Sequence, residues 1–207
     1  MEQIQPEVGK FWLGQDMGVF SIGANVKSGE NLLSLELSPM KIHAEIEPIY
    51  ILGDFCVKPA AKGWTIEALV EKLSIGSWKE QGWSFYPGTV TYTKQYNLTD
   101  PEHLYRVRLN DWEGTVAGVE VNGKPAGIIF AQPYTLNISE YLQKGENTIC
   151  IKVVGSNKNL MEPFHNVQSR GIVGPGNFRK MGGRPSGNDY DQLDYGLMED
   201  FVLEEGI

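Results

Sequence analysis

Cysteine is scarce in this sequence of 207 residues, with only Cys56 and Cys150 present. They lie far apart and neither sits in a C-x-x-C pair, so the usual ligands of a metal cluster or redox centre are missing. Two cysteines in separate strands are expected to be buried free thiols, a single disulfide being the less favoured alternative. Positive charge is also short: 18 basic against 26 acidic side chains give a formal charge of -8. That balance repels phosphate backbones and no basic stripe offsets it, so no nucleic-acid partner is expected. No apolar run approaches the roughly 18 residues of a spanning helix. The opening Met1-Glu2-Gln3-Ile4-Gln5-Pro6 lacks the basic-then-apolar order of a signal peptide, and a soluble chain with no membrane role is expected. Absent too are a G-x-S-x-G elbow, an H-E-x-x-H pair and a Gly-Lys-Ser/Thr phosphate loop. Glycine (24), proline (11) and aromatics (Trp 5, Tyr 9, Phe 8) are plentiful, while long runs of helix formers are few. This mixture favours many short strands joined by turns.

The clearest internal signal is a repeat. Residues 20–37 match residues 136–153, each copy carrying a short segment, a Gly-Glu-Asn turn (Gly29-Glu30-Asn31, Gly145-Glu146-Asn147) and an alternating strand. After the turn, Leu33, Leu35 and Leu37 share one parity, as do Ile149, Ile151 and Val153. The second copy comes after a long strand-rich stretch and the first does not, so the first is expected to be truncated. Two explanations are open: the chain starts inside a longer protein, which is favoured, or the N-terminal piece is an extra layer on the second unit.

Between the copies, Val90, Tyr92, Tyr96 and Leu98 alternate with Thr91, Thr93, Gln95 and Asn97, Lys94 being the one misfit. That pattern predicts a half-buried antiparallel strand over residues 89–98. Tyr105-Val107-Leu109 and Val119-Val121 alternate likewise, Asn122-Gly123 signals a turn, and residues 128–130 resume the sheet. Residues 63–80 fit either helical spacing (Ile66, Leu69, Val70, Leu73) or extended chain, and both stay open. Residues 155–194 read as a loop too long for a mere connector, before an apolar strand over residues 196–203.

These motifs, in order, carry a resemblance. Residues 78–92 (Trp78-Lys79-Glu80-Gln81-Gly82-Trp83 through Tyr92), 116–124, Pro133-Tyr134-Thr135-Leu136, Gly145-Glu146-Asn147, residues 155–165 and Asp194-Tyr195-Gly196-Leu197-Met198-Glu199 look like the galactose-binding-like jelly-roll domain. That domain accompanies large glycoside hydrolases of the family 2 and alpha-L-rhamnosidase kinds. The resemblance implies an all-β jelly-roll β-sandwich and a C-terminal fragment whose catalytic domain lies upstream. Under it, residues 1–46 are an incomplete sandwich repeat packed on the main unit, and residues 47–207 a complete galactose-binding-like sandwich. It also implies an extracellular or periplasmic setting and a role in polysaccharide degradation, with a glycan or glycoside and the parent catalytic domain as partners. Alternating strands alone would fit an immunoglobulin-like sandwich as well.

For chemistry, glycoside hydrolysis needs two carboxyl groups about 5 to 10 Å apart. Glu113, Glu162, Asp189, Asp191, Asp194 and Glu199 lie near the loop-rich end, but scattered surface acids are the simpler reading, and no catalytic residue is assigned. Sugar binding needs a flat aromatic face with amide or carboxylate groups beside it. Trp112 with Glu113, and Asn157, Asn159 and His165, are the candidates, with Trp83 and Tyr86 as alternatives. The competing reading is that Trp112 caps the core while Asn159 and His165 tie the long loop down. Domains of the resembling kind frequently hold structural calcium, for which Asp200 or Glu199 would supply oxygens, although no D-x-D-x-D-G loop is present. The expectation is a non-catalytic carbohydrate-binding or accessory module, with a purely structural interaction domain and a glycoside hydrolase in its own right as alternatives.

Overall fold

The computed structural model describes residues 3–42, 49–161 and 186–206. The chain divides into two compact units, Met1–Glu47 and Pro48–Ile207. In the first unit, strands β1 (Phe11–Trp12) and β2 (Gly14–Gly18) form an antiparallel hairpin. The alternating strand expected over residues 33–37 is not formed. Leu33, Leu35 and Leu37 stand 53%, 56% and 46% exposed, because no neighbouring strand in the described part of the unit offers their backbone a ladder.

The turn before them nevertheless has the same construction as its copy in the second unit. Asn31 accepts from the Lys27 amide (3.0 Å) and donates to the carbonyls of Lys27 (2.8 Å) and Gly29 (3.0 Å). Asn147 accepts from the Gln143 amide (2.9 Å) and donates to the carbonyls of Gln143 (2.7 Å) and Gly145 (3.0 Å). Gly29 and Gly145 hold φ of 88° and 91°, a left-handed conformation that glycine adopts without a Cβ clash. The repeat read from sequence is therefore also a repeat of structure at its turn.

The second unit is all-β. Its strands are β3 (Cys56–Pro59), β4 (Trp64–Glu67), β5 (Thr89–Leu98), β6 (Leu104–Arg108), β7 (Trp112–Glu113), β8 (Val116–Val121), β9 (Lys124–Ile129), β10 (Thr135–Asn137), β11 (Gly145–Val154), β12 (Gly196–Leu197) and β13 (Val202–Gly206). A four-stranded sheet in the order β5-β11-β8-β9 and a three-stranded sheet in the order β10-β6-β13, both antiparallel, make a β-sandwich. The inward parity of β11 (Asn147, Ile149, Ile151, Val153) is fully buried at 0% exposure. Ala117, Val119 and Val121 of β8 flank it, Val107 and Leu109 belong to the facing sheet's side of the core, and Trp78, Leu197 and Phe201 join the same cluster.

Strand β5 covers the predicted span, and its misfit has a cause. Lys94 faces inward, but its Nζ donates to the Phe201 carbonyl (3.2 Å), pairs with Asp200 (2.9 Å) and lies over the Phe201 ring (5.2 Å to the centroid). A long aliphatic stem lets the residue cross the core edge while its charge is met outside. Asn122 and Gly123, at φ 51° and 77°, make the predicted hairpin turn between β8 and β9. Residues 63–80 resolve as extended and irregular chain: β4, then a loop to a single 3-10 turn, Lys79–Gln81. The expected closing strand over residues 196–203 is broken in two, β12 pairing with β7 and β13 with β6. Cys56 and Cys150 are free thiols.

Candidate functional site

Strand direction decides which loops meet. β5 and β8 begin, and β6 and β11 finish, at the same end of the sandwich, since Val154 pairs with both Thr89 and Val116 and the short link from β6 to β8 bonds back there, Thr115 amide to Val154 carbonyl (2.8 Å). Residues 76–88, 109–115, 155–160 and 193–201 therefore gather there. Their mutual ties include Trp78 amide to Tyr195 carbonyl (2.9 Å), Met198 amide to Asp111 carbonyl (2.9 Å), and Ser156 hydroxyl with Tyr195 hydroxyl (2.6 Å).

Of the sequence candidates, Trp112 lies on β7 with its ring edge-on to Tyr134 (centroids 5.6 Å) and packed against the core. Its indole Nε1 is buried without an acceptor among the described residues. Glu113, next to it on β7, is exposed. Asn159 is 2% exposed, and its amide spans Leu193 in both directions, accepting from the Leu193 amide and donating to its carbonyl, each at 2.8 Å. It ties the segment after the long loop to the 3-10 turn Asn157–Asn159, whose first residue, Asn157, is exposed. Trp83 donates to the Val70 carbonyl (3.0 Å) and meets Tyr86 edge-on (4.7 Å), and the Tyr86 hydroxyl bonds the Thr89 carbonyl (3.2 Å). His165, and the acid Glu162, lie outside the described residues.

Two acids at this end are met by lysines: Asp191 by Lys158 (3.3 Å) and Asp194 by Lys79 (3.1 Å). Asp200 is met by Lys94 (2.9 Å), whose pKa ends up raised: burial lowers it, but the Asp200 hydrogen bond and the Tyr96 and Asp200 charges outweigh that. An ammonium already seated on Asp200 opposes a divalent cation. Asp200 thus carries an ammonium partner, and among the described residues no group of three His, Cys, Asp or Glu gathers.

Sequence reasoning missed a cleft of about 500 Å³ between the β3–β4 hairpin, the 79–84 turn and residues 187–192. The hairpin is anchored by the Val57 amide on the Gly82 carbonyl (2.9 Å) and the Gly187 amide on the Ala60 carbonyl (2.9 Å). Trp64 stands edge-on to Phe85 (5.0 Å) and Tyr190 (5.5 Å). Gln81 shapes one wall with its amide spent on its own loop, accepting from the Ser74 amide (2.7 Å) and donating to the Ser77 carbonyl (3.1 Å). The lining residues are separated by more than a hundred positions, and no local pattern announces them.

No family model matches the sequence, and no curated protein matches it. Among solved structures the chain is similar to a rhamnosidase from Novosphingobium sp. PP1Y (18% identity, TM-score 0.43, covering 78% of this chain and 16% of that one). It is also similar to Bacteroides uniformis β-glucuronidase 2 (20%, TM-score 0.40, 69% and 14%) and to a family 2 β-galacturonidase from Eisenbergiella tayi (15%, TM-score 0.34, 49% and 17%). The chain spans less than a fifth of the length of each. These structural neighbours are glycoside hydrolases, at a likeness too slight to make the chain a member of a family.

Proposed function

We propose that the chain is a non-catalytic, carbohydrate-binding accessory module of a glycoside hydrolase, of the galactose-binding-like jelly-roll type. The observation that carries this reading is the cleft at the loop end of the sandwich, where Trp64 and Tyr190 stand beside the amides of Asn188 and Gln192. Aromatic faces beside hydrogen-bonding groups suit a sugar ring, and of the acids nearby Asp191 and Asp194 are tied to the ammonium groups of Lys158 and Lys79. Calorimetric titration with neutral glycosides tests it, together with aryl-glycoside hydrolysis. Saturable binding without turnover is the expected result, and turnover abolished by a single Asp or Glu substitution would make the chain an enzyme.

A second reading, a structural interaction module, is favoured by the matching Asn31 and Asn147 turns. The Asn147 turn leads into β11, whose inward face is fully buried, and the Asn31 turn leads into the exposed Leu33, Leu35 and Leu37. An alternating strand of that kind is completed by neighbouring strands. On this reading the glycoside titrations stay silent, and the amides of residues 32–37 exchange with solvent quickly until a partner sheet, such as one on the parent catalytic protein, protects them.

A further inference from the structure

We propose that the cleft between the β3–β4 hairpin, the 79–84 turn and residues 187–192 is the saccharide site, and that its ligand is a neutral mono- or disaccharide. The proposal rests on the carbohydrate-binding reading and adds to it a place and a ligand class.

Unspent polar groups mark the place. Trp64 lines the cleft with its ring, its indole Nε1 turned into the wall and buried. Around it, the side chains of Lys58, Glu67, Glu80 and Asn188 line the cleft and have no ion pair or side-chain hydrogen bond among the described residues. Gln192 uses its amide nitrogen on the Ser84 carbonyl (3.4 Å), leaving its oxygen as an acceptor. Trp64 and Tyr190 supply the apolar surface. Primary amides, carboxylates and an ammonium beside aromatic rings suit a hydroxyl-covered ring, because a hydroxyl both gives and takes a hydrogen bond.

Charge sets the class. Lys58 is matched by Glu67 and Glu80, while Asp194 holds the other lining lysine, Lys79 (3.1 Å). A uronic acid or phosphate would bring its negative charge against two carboxylates. The volume, about 500 Å³, falls within the roughly 300 to 1,000 Å³ of small-ligand clefts. Trp112, by contrast, presses its ring on Tyr134 and the core.

The test monitors the indole resonances of the 5 tryptophans of the full chain by NMR, with calorimetry alongside. Methyl β-D-galactopyranoside, methyl β-D-glucopyranoside and methyl α-L-rhamnopyranoside are the neutral probes, and sodium D-glucuronate is the anionic one. The expected result is a saturable shift of the Trp64 resonance with a neutral probe. Glu67→Gln and Asn188→Ala, both at exposed side chains, should each weaken binding by about tenfold with the melting temperature unchanged. These two variants keep the test valid even where Trp64→Phe disturbs folding. Saturable shifts at Trp112 or Trp83 with Trp64 silent overturn the cleft and leave the carbohydrate reading standing. Preference for glucuronate overturns the neutral class. No heat and no shift with any of the probes overturns the cleft and the carbohydrate reading together.

Discussion

At the scale of single residues, the two Gly-Glu-Asn turns form an internal control. Asn147 is 0% exposed and also takes a hydrogen bond from the Asn122 side-chain Nδ2 (2.9 Å), whereas the Asn31 side chain is exposed. Removing a buried polar group that serves several partners strands them, at a cost of about 2 to 4 kcal/mol, while an exposed turn is re-solvated at below about 1 kcal/mol. Asn147→Ala should therefore lower the denaturant midpoint far more than Asn31→Ala, and equal effects would contradict the burial difference. A second expectation concerns pH. His103 has a raised pKa, chiefly through its hydrogen bond to Glu205 and then the Asp100 charge. A group whose folded pKa lies above its unfolded value of about 6.5 stabilises the fold below that value, and the contribution disappears as pH rises through the folded pKa. Glu204 runs the other way, lowered by hydrogen bonds from Arg108 and then Arg106; its contribution is present at neutral pH and lost as acid protonates it. Thermal melts of His103→Gln should lose the slope near neutrality and keep the acid one.

At the scale of elements, β11 bears the sheet. Ile151 pairs with Tyr92 on one side and Val119 on the other and is 0% exposed, so Ile151→Ala should cost about 2 to 5 kcal/mol. Gly196 tests the tie between β12 and β7. Its φ is 131°, and a Cβ there would stand 2.6 Å from the Gly76 carbonyl oxygen and 2.9 Å from the Trp78 ring. Gly196→Ala should destabilise the unit by several times the roughly 1 kcal/mol of an ordinary glycine change, measured by chemical denaturation. Much of this layer was legible. Period-two alternation located β5, β6, β8 and β11 because each has one wet face and one dry face. Alternation misled at Leu33, Leu35 and Leu37, where the pattern is present and no strand among the described residues pairs with it. It was silent at the β12–β13 break, because the Met198 and Glu199 amides turn to the Asp111 carbonyl, a contact set by a residue far away in sequence. The site was less legible still. Asn159 and Trp112 carried polar and aromatic signatures that serve packing as readily as binding, while Trp64 gained its neighbours only through the fold.

At the scale of the whole molecule, every described residue of the hydrophobic core lies between Cys56 and Phe201, and no described residue of Met1–Glu47 is buried. A chain limited to residues 49–207 should therefore keep a cooperative melt within a few degrees of the full one, and loss of the transition would place essential packing in the first unit. The order of strands also bears on synthesis. β5 lies beside β11, which emerges some fifty residues later, and β6 lies beside β13, nearly a hundred residues on. Contacts so distant along the chain close slowly, on the scale of milliseconds to seconds for sandwiches of this kind. During translation the threonine-rich β5 waits without a partner, and its alternate Thr91, Thr93 and Gln95 keep one face wettable over that interval.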